Sequence, residues 1–230
     1  MSLTSDLLDL VYPTNCAACG RRLQKHEEVL CLFCEYDLPQ TDFHCDKDNP
    51  VAKVFWGRVM LHSAAAFYMF SKGGRVQKLI HQLKYKGWQE VGVKVGALYG
   101  AKLKNAADFA GVNLILPVPL HPTKQQKRGF NQSDCFAKGL SQGMGVIWRN
   151  DVLLRHTFTE TQTRKNRFDR WENVERIFTV TQKNILENKH VLLVDDVITT
   201  GATLEACANE VLKVKNVKVS AVSMAFAEAR

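Results

Sequence analysis

Residues 191–194, Val-Leu-Leu-Val, are apolar without alternation, and two acids, Asp195 and Asp196, follow directly. An unbroken run of β-branched and aliphatic residues predicts a central parallel strand buried on both faces. The acids then stand where the strand ends, at the carboxyl edge of a sheet, which is where open α/β folds place ligands. Thr199, Thr200, Gly201, Ala202 and Thr203 turn the chain into a helix that continues over 204–213. Small residues at such a turn leave backbone N–H groups free to wrap a phosphate. Carboxylates beside that cradle suit a ligand that offers hydroxyls or carries a metal, because a bare polyanion would be repelled.

The remaining pattern builds the same class of fold. Residues 59–70 are densely apolar and predict a strand pair or one long buried strand. Val76, Leu79, Ile80 and Leu83 recur at helical spacing with Lys78, His81 and Lys84 opposite, giving an amphipathic helix stopped by Gly87. Lys84, Tyr85 and Lys86 at its end can reach an anion. In the next helix Val91, Val95, Leu98 and Tyr99 are apolar, and Gly92, Gly96 and Gly100 recur every fourth residue. Each glycine costs about 1 kcal/mol against alanine there, so the run implies a neighbour that approaches closely. Residues 113–117 read as a strand, and the three prolines of Pro117-Val118-Pro119-Leu120-His121-Pro122 then impose a fixed loop. Lys124, Lys127, Arg128 and Gly129 follow, and Asn131 or Ser133 caps a helix carrying Phe136, Ala137 and Leu140 and ended by Gly143. Further strands are expected at 152–154, 177–180 and 217–222. Strands alternating with helices predict an open α/β fold.

Composition changes this picture in three places. A hydrophobic content of 46% with 23% charged residues is that of an ordinary globular chain of 230 residues, one medium domain plus a small attachment. The net charge of +8 favours anionic partners such as polyphosphates, nucleotides, nucleic acids or a membrane surface. Asp6 and Asp9 interrupt the first apolar residues and no run reaches the roughly 18 residues of a spanning helix, so a cytoplasmic protein without a membrane span is expected.

Seven cysteines are present, and four form two CxxC pairs, Cys16/Cys19 and Cys31/Cys34. Their spacing is that of a zinc ribbon, in which four thiolates close a tetrahedral Zn²⁺ shell and mark a structural site. Leu32 and Phe33 in the second pair, with Glu35 instead of glycine after it, are less typical, and His44 or Cys45 can substitute as ligands. Reduced core cysteines and a rubredoxin-like iron are the alternatives. Residues 1–50 form this zinc-binding, four-cysteine segment and residues 51–230 the α/β domain.

The thirteen residues from Val191 to Thr203 resemble the signature of type I phosphoribosyltransferases. The resemblance implies that Asp195 and Asp196 hold the ribose hydroxyls of phosphoribosyl pyrophosphate (PRPP), that Thr199, Thr200, Gly201, Ala202 and Thr203 hold its 5′-phosphate, and that Mg²⁺ accompanies the pyrophosphate. With PVPL at 117–120, RGFNQ at 128–132, Gln162-Thr163, Asn173-Val174 and the double CxxC, nearly the whole chain resembles the ComF family. The fold implied is an open, mainly parallel sheet of the type I phosphoribosyltransferase kind, preceded by a small zinc-ribbon-like segment. The loop with Val118 and Pro119 is then the pyrophosphate loop, Arg128 a stabiliser of the leaving pyrophosphate, and 155–173, with Arg164, Lys165, Arg167 and Arg170, a lid. The family is associated with DNA uptake in natural competence or with nucleotide metabolism, which brings DNA-uptake proteins and single-stranded DNA into view as partners. The competing reading is a non-catalytic module binding a nucleotide or single-stranded DNA, with Phe130, Phe168 and Trp171 as stacking residues.

Overall fold

The computed structural model describes residues 13–156 and 177–228, and within them the apolar runs become six strands. These are β1 (Ala64–Met69), β2 (Leu114–Pro117), β3 (Leu153–Arg155), β4 (Phe178–Val180), β5 (His190–Ile198) and β6 (Lys218–Phe226). Four of them form one parallel sheet in the order β1-β6-β5-β2. The helices are α1 (Leu32–Asp37), α2 (Pro50–Lys53), α3 (Arg75–Tyr85), α4 (Glu90–Leu103), α5 (Pro122–Arg128), α6 (Gln132–Met144) and α7 (Ala202–Val211).

The lack of alternation in β5 has a direct cause, since both of its faces are covered. Leu192 and Val194 pack with Leu79 and Leu83 of α3, Val95 and Tyr99 of α4, and Phe136 and Leu140 of α6. Val191 and Leu193 pack on the other side with Leu204, Cys207 and Val211 of α7. The cysteine segment belongs to the first of these cores through Ala17, Leu30, Cys34 and Leu38. From there the chain runs along the free side of β1, where Thr41 N donates to Phe67 O at 2.8 Å and Met69 N to Pro39 O at 2.9 Å. That pairing covers what would be an exposed sheet edge.

The glycine run in α4 meets a reciprocal run in α6. A Cβ added at Gly100 would lie 2.7 Å from Leu140 O, and one at Gly143 would lie 2.5 Å from Ala97 O, so two backbones touch where side chains would hold them apart. Gly143→Ala should therefore cost about 1–3 kcal/mol or more, as overpacking does. Thermal denaturation checks this against Gly111→Ala, where an added Cβ meets nothing closer than 3.8 Å. Equal melting of the two variants would refute the contact.

Five expectations need correction. Gly143 does not end α6; it lies inside the helix at the α4 contact, and Gly145, at φ 74°, is the left-handed cap. Of residues 59–70, only Ala64–Met69 form a strand. The basic stretch after the prolines is a helix of its own, because Pro122 occupies the first helical position, where its missing N–H costs nothing, and Gly129, at φ 79°, closes the other end. Strands β3 and β4 pair antiparallel with each other and add nothing to the main sheet. Finally, β5 does not stop before the acids. β2 ends opposite Val194, but β6 continues to pair with β5 through Asp195↔Ser223, Val197↔Ala225 and Ile198↔Phe226.

Candidate functional site

That unequal strand length builds the site. Past Pro117 β2 no longer pairs with β5, and among the described strands β6 alone pairs along the stretch of β5 that holds Asp195 and Asp196. Alternation sets Asp195 in register with Val191 and Leu193, and Asp196 with Leu192 and Val194. The two carboxylates therefore find different partners. Asp195 Oδ1 accepts from Ser133 Oγ at 3.1 Å and from Asp196 N at 2.8 Å. Asp196 Oδ1 accepts from Lys84 Nζ at 2.9 Å, while its buried Oδ2 has no partner among the described residues. Burial, and then the charge of Asp196, push the Asp195 carboxyl up to about 7.

Ser133 reaches Asp195 because Asn131 fixes the start of α6. The Asn131 amide oxygen accepts from Ser133 N at 3.2 Å, and its Nδ2 donates to Val118 O at 3.0 Å and to Asp134 Oδ1 at 2.7 Å. Val118 N in turn donates to Val194 O at 2.9 Å. Of the two capping candidates, then, Asn131 caps, and Ser133 is left free to hold a carboxylate. Pro119 follows Val118 in the connection leading to α5.

On the far side of the acids, Thr199, Thr200 and Gly201 join β5 to α7, and Ala202 and Thr203 already belong to the helix. Gly201 has φ 71°, and a Cβ there would meet Phe55 Cε1 at 2.8 Å, so both the turn and the close approach require glycine. Among the described residues no side chain caps α7, while Thr199, Thr200, Ala202 and Thr203 are exposed. Its first N–H groups and the positive end of its dipole face outward, the arrangement that receives an anion.

A third feature adjoins the acids. Lys84, Tyr85, Gly87, Lys124, Lys127, Arg128 and Phe130 line a pocket of about 430 Å³. Arg128 donates to Gln132 Oε1 at 2.7 Å, and its guanidinium lies 5.4 Å from the Tyr85 ring centre. Lys84 belongs to this pocket and to the Asp196 ion pair, so it ties the cationic and anionic parts together. Arg128, Val118, Asp195, Asp196 and the 199–203 turn thus gather at the carboxyl end of the sheet, as their order along the chain suggests. Among the expected lid residues, Arg155 lies in β3 with its guanidinium 5.3 Å from the Phe178 ring centre. Arg164, Lys165, Arg167, Phe168, Arg170 and Trp171 lie outside the described residues.

Away from this edge, the Sγ atoms of Cys16, Cys19, Cys31 and Cys34 all lie within 4.8 Å of one another. Cys31 N donates to Cys16 Sγ at 3.4 Å, and Arg75 Nη1 approaches Cys34 Sγ at 3.7 Å. Donors directed at sulfur favour thiolates, and four converging sulfurs can hold a metal ion. His44 instead packs edge-on against Tyr99, and Cys45 is exposed. No helix among the described residues is long and apolar enough to cross a membrane.

The parallel sheet, the acid pair and the uncapped helix define a phosphoribosyltransferase-like domain, and residues 136–229 match the phosphoribosyl transferase domain family. Over nearly its full length the chain is also similar to named bacterial proteins. It is 28% identical over 202 residues to the DNA utilization protein YhgH of Escherichia coli K12, covering 86% of this chain and 84% of that one. It is 27% identical over 207 residues to competence protein F of Haemophilus influenzae, covering 86% and 89%, and 26% identical over 204 residues to competence protein ComFC of Bacillus subtilis, covering 86% and 78%. The chain is thus similar over most of its length to proteins of the ComF family, and its fold is of the type I phosphoribosyltransferase kind.

Proposed function

We propose that this protein binds PRPP, or a related ribose 5-phosphate compound, together with Mg²⁺ at the carboxyl end of β5. The observation that carries this reading is the order of three features along one edge. An uncapped helix N-terminus, two carboxylates and a pocket of four cations follow one another as a 5′-phosphate, ribose hydroxyls and a pyrophosphate do in the ligand. The α7 N-terminus takes the 5′-phosphate, Asp195 and Asp196 accept from the hydroxyls, and Lys84, Lys124, Lys127 and Arg128 face the pyrophosphate. Asp196 Oδ2, a hard oxygen without a partner among the described residues, fits a site for Mg²⁺, which when bound would screen pyrophosphate charge.

In a transfer reaction a nitrogen nucleophile bonds to the anomeric carbon as the bond from that carbon to the pyrophosphate oxygen breaks. The nitrogen's proton passes to solvent and the bonding pair leaves with pyrophosphate. Lys84 and Arg128 stabilise the charge gathering on the leaving group, and the carboxylates stabilise the positive charge developing on the ribose. This is electrostatic catalysis, with no covalent enzyme intermediate.

The names of the relatives favour a biological setting in DNA uptake or DNA use, with nucleotide metabolism as the alternative. They also favour a second reading, a non-catalytic module whose cradle senses a nucleotide while its cations grip single-stranded DNA. Pyrophosphate release from PRPP and Mg²⁺, assayed across bases, ammonia and glutamine, separates the two. Release that disappears in Asp195→Asn supports the enzyme. Binding of PRPP without release supports the module, and single-stranded DNA affinity should then fall steeply with salt.

A further inference from the structure

Arg58 lies far from the phosphate turn in sequence, yet it grips that turn from outside. Its Nη1 donates to Thr200 O at 2.7 Å and to Val54 O at 3.0 Å, and its Nη2 pairs with Glu205 in the first turn of α7. The segment carrying it is firmly anchored. Asn49, 1% exposed, donates through Nδ2 to Phe43 O at 3.0 Å, Asp46 O at 2.7 Å and Ala64 O at 2.8 Å, tying α2 to the first residue of β1. Its amide oxygen accepts from Val51 N and Ala52 N, which caps α2. Phe55 and Val54, just beyond, are the side chains against which Gly201 packs.

Glu205 presents an electrostatic difficulty. A carboxylate in the first turn suits a bare helix dipole, but it repels a dianionic phosphate brought to the same N-terminus. The Arg58 guanidinium neutralises it and, with the same group, fixes the peptide before Gly201. From this geometry we propose that Arg58 is a positioning residue of the phosphate cradle, which orders the 199–203 turn and cancels the Glu205 charge so that α7 can accept a phosphate. The proposal rests on the ribose 5-phosphate reading in its second function only; the ordering of the turn stands apart from it.

The test uses the full chain and ribose 5-phosphate. Hydrogen exchange at Thr200–Thr203 amides is measured without ligand, and affinity by calorimetry, for wild type, Arg58→Gln, Glu205→Gln and the double variant, each first matched to wild type by far-UV circular dichroism. Arg58→Gln should speed exchange at the turn and bind about tenfold more weakly, the scale of one charge-assisted contact. Adding Glu205→Gln should restore part of that affinity without restoring the exchange rates, which a purely structural role for Arg58 would not produce. Unchanged exchange in Arg58→Gln overturns the proposal, and so does a loss of affinity that Glu205→Gln leaves untouched. Should wild type bind no ribose 5-phosphate, the ligand reading and the charge-cancelling role both fall, while the exchange arm still decides whether Arg58 holds the turn.

Discussion

Cys16→Ser/Cys31→Ser is expected to lose bound metal and to unfold the segment that runs from Pro13 to the edge of β1. We expect the metal to be one Zn²⁺ per chain, because four sulfurs within 4.8 Å of one another complete a tetrahedral shell without solvent. A structural zinc contributes about 10–16 kcal/mol in finger peptides, comparable with the whole stability of an ordinary domain. The loss should extend beyond the segment itself. Cys16, Cys31 and Cys34 are buried in the same core as Leu79 and Leu83, and Arg75 at the start of α3 pairs with Asp37 and approaches Cys34. Lys84, in the last turn of α3, pairs with Asp196, so losing the helix's anchor should disturb the acid site as well. Metal analysis of reduced protein with a far-UV thermal melt checks this and tells zinc from iron. Retained metal in Cys31→Ser, with complete loss in Cys45→Ser, would show that the ligand set is wrong.

Some of this architecture is written in local patterns and some is not. The double-sided burial of β5 is legible because it removes alternation from Val191–Val194, and the α4 contact is legible because only a close neighbour explains Gly92, Gly96 and Gly100. The cysteine cluster follows from spacing alone. Periodicity does not say how far a strand continues when just one neighbour remains beside it, so the pattern puts the acids after β5 although they lie within it. Nor does it pair side chains across the chain. Ser133 meets Asp195, Lys84 meets Asp196 and Arg58 meets Thr200 at separations of 62, 112 and 142 residues, and each contact exists only once the sheet has assembled. One further signal is present in the sequence. Asn49 directly before Pro50 has the form of a helix cap followed by proline at the first helical position, and it marks the anchored segment that delivers Arg58.

Asp195→Asn/Asp196→Asn is expected to weaken PRPP binding about a hundredfold or more, since each lost hydrogen bond to a charged group is worth about 1.5–3 kcal/mol. The metal content should stay that of wild type, because the four converging sulfurs are its ligands and neither acid is among them. The pH dependence gives a second and independent sign. Burial, and then the charge of Asp196, push the Asp195 carboxyl well above an ordinary carboxyl, up to about 7. A raised folded-state pKa contributes stability at low pH that is lost as pH rises through about 7. The ligand-free protein should therefore give up this contribution towards pH 8, where the carboxylate forms. That is the form able to accept from ribose hydroxyls, so wild-type affinity should rise about tenfold between pH 6 and pH 8 on this group alone. Comparison with Asp195→Asn removes the titration of the ligand's own phosphates, and the excess pH dependence of wild type isolates Asp195. Calorimetric titration with PRPP and Mg²⁺ measures both effects. Equal affinities of wild type and the double variant, or no wild-type binding at millimolar PRPP, would remove the acid pair from the ligand site.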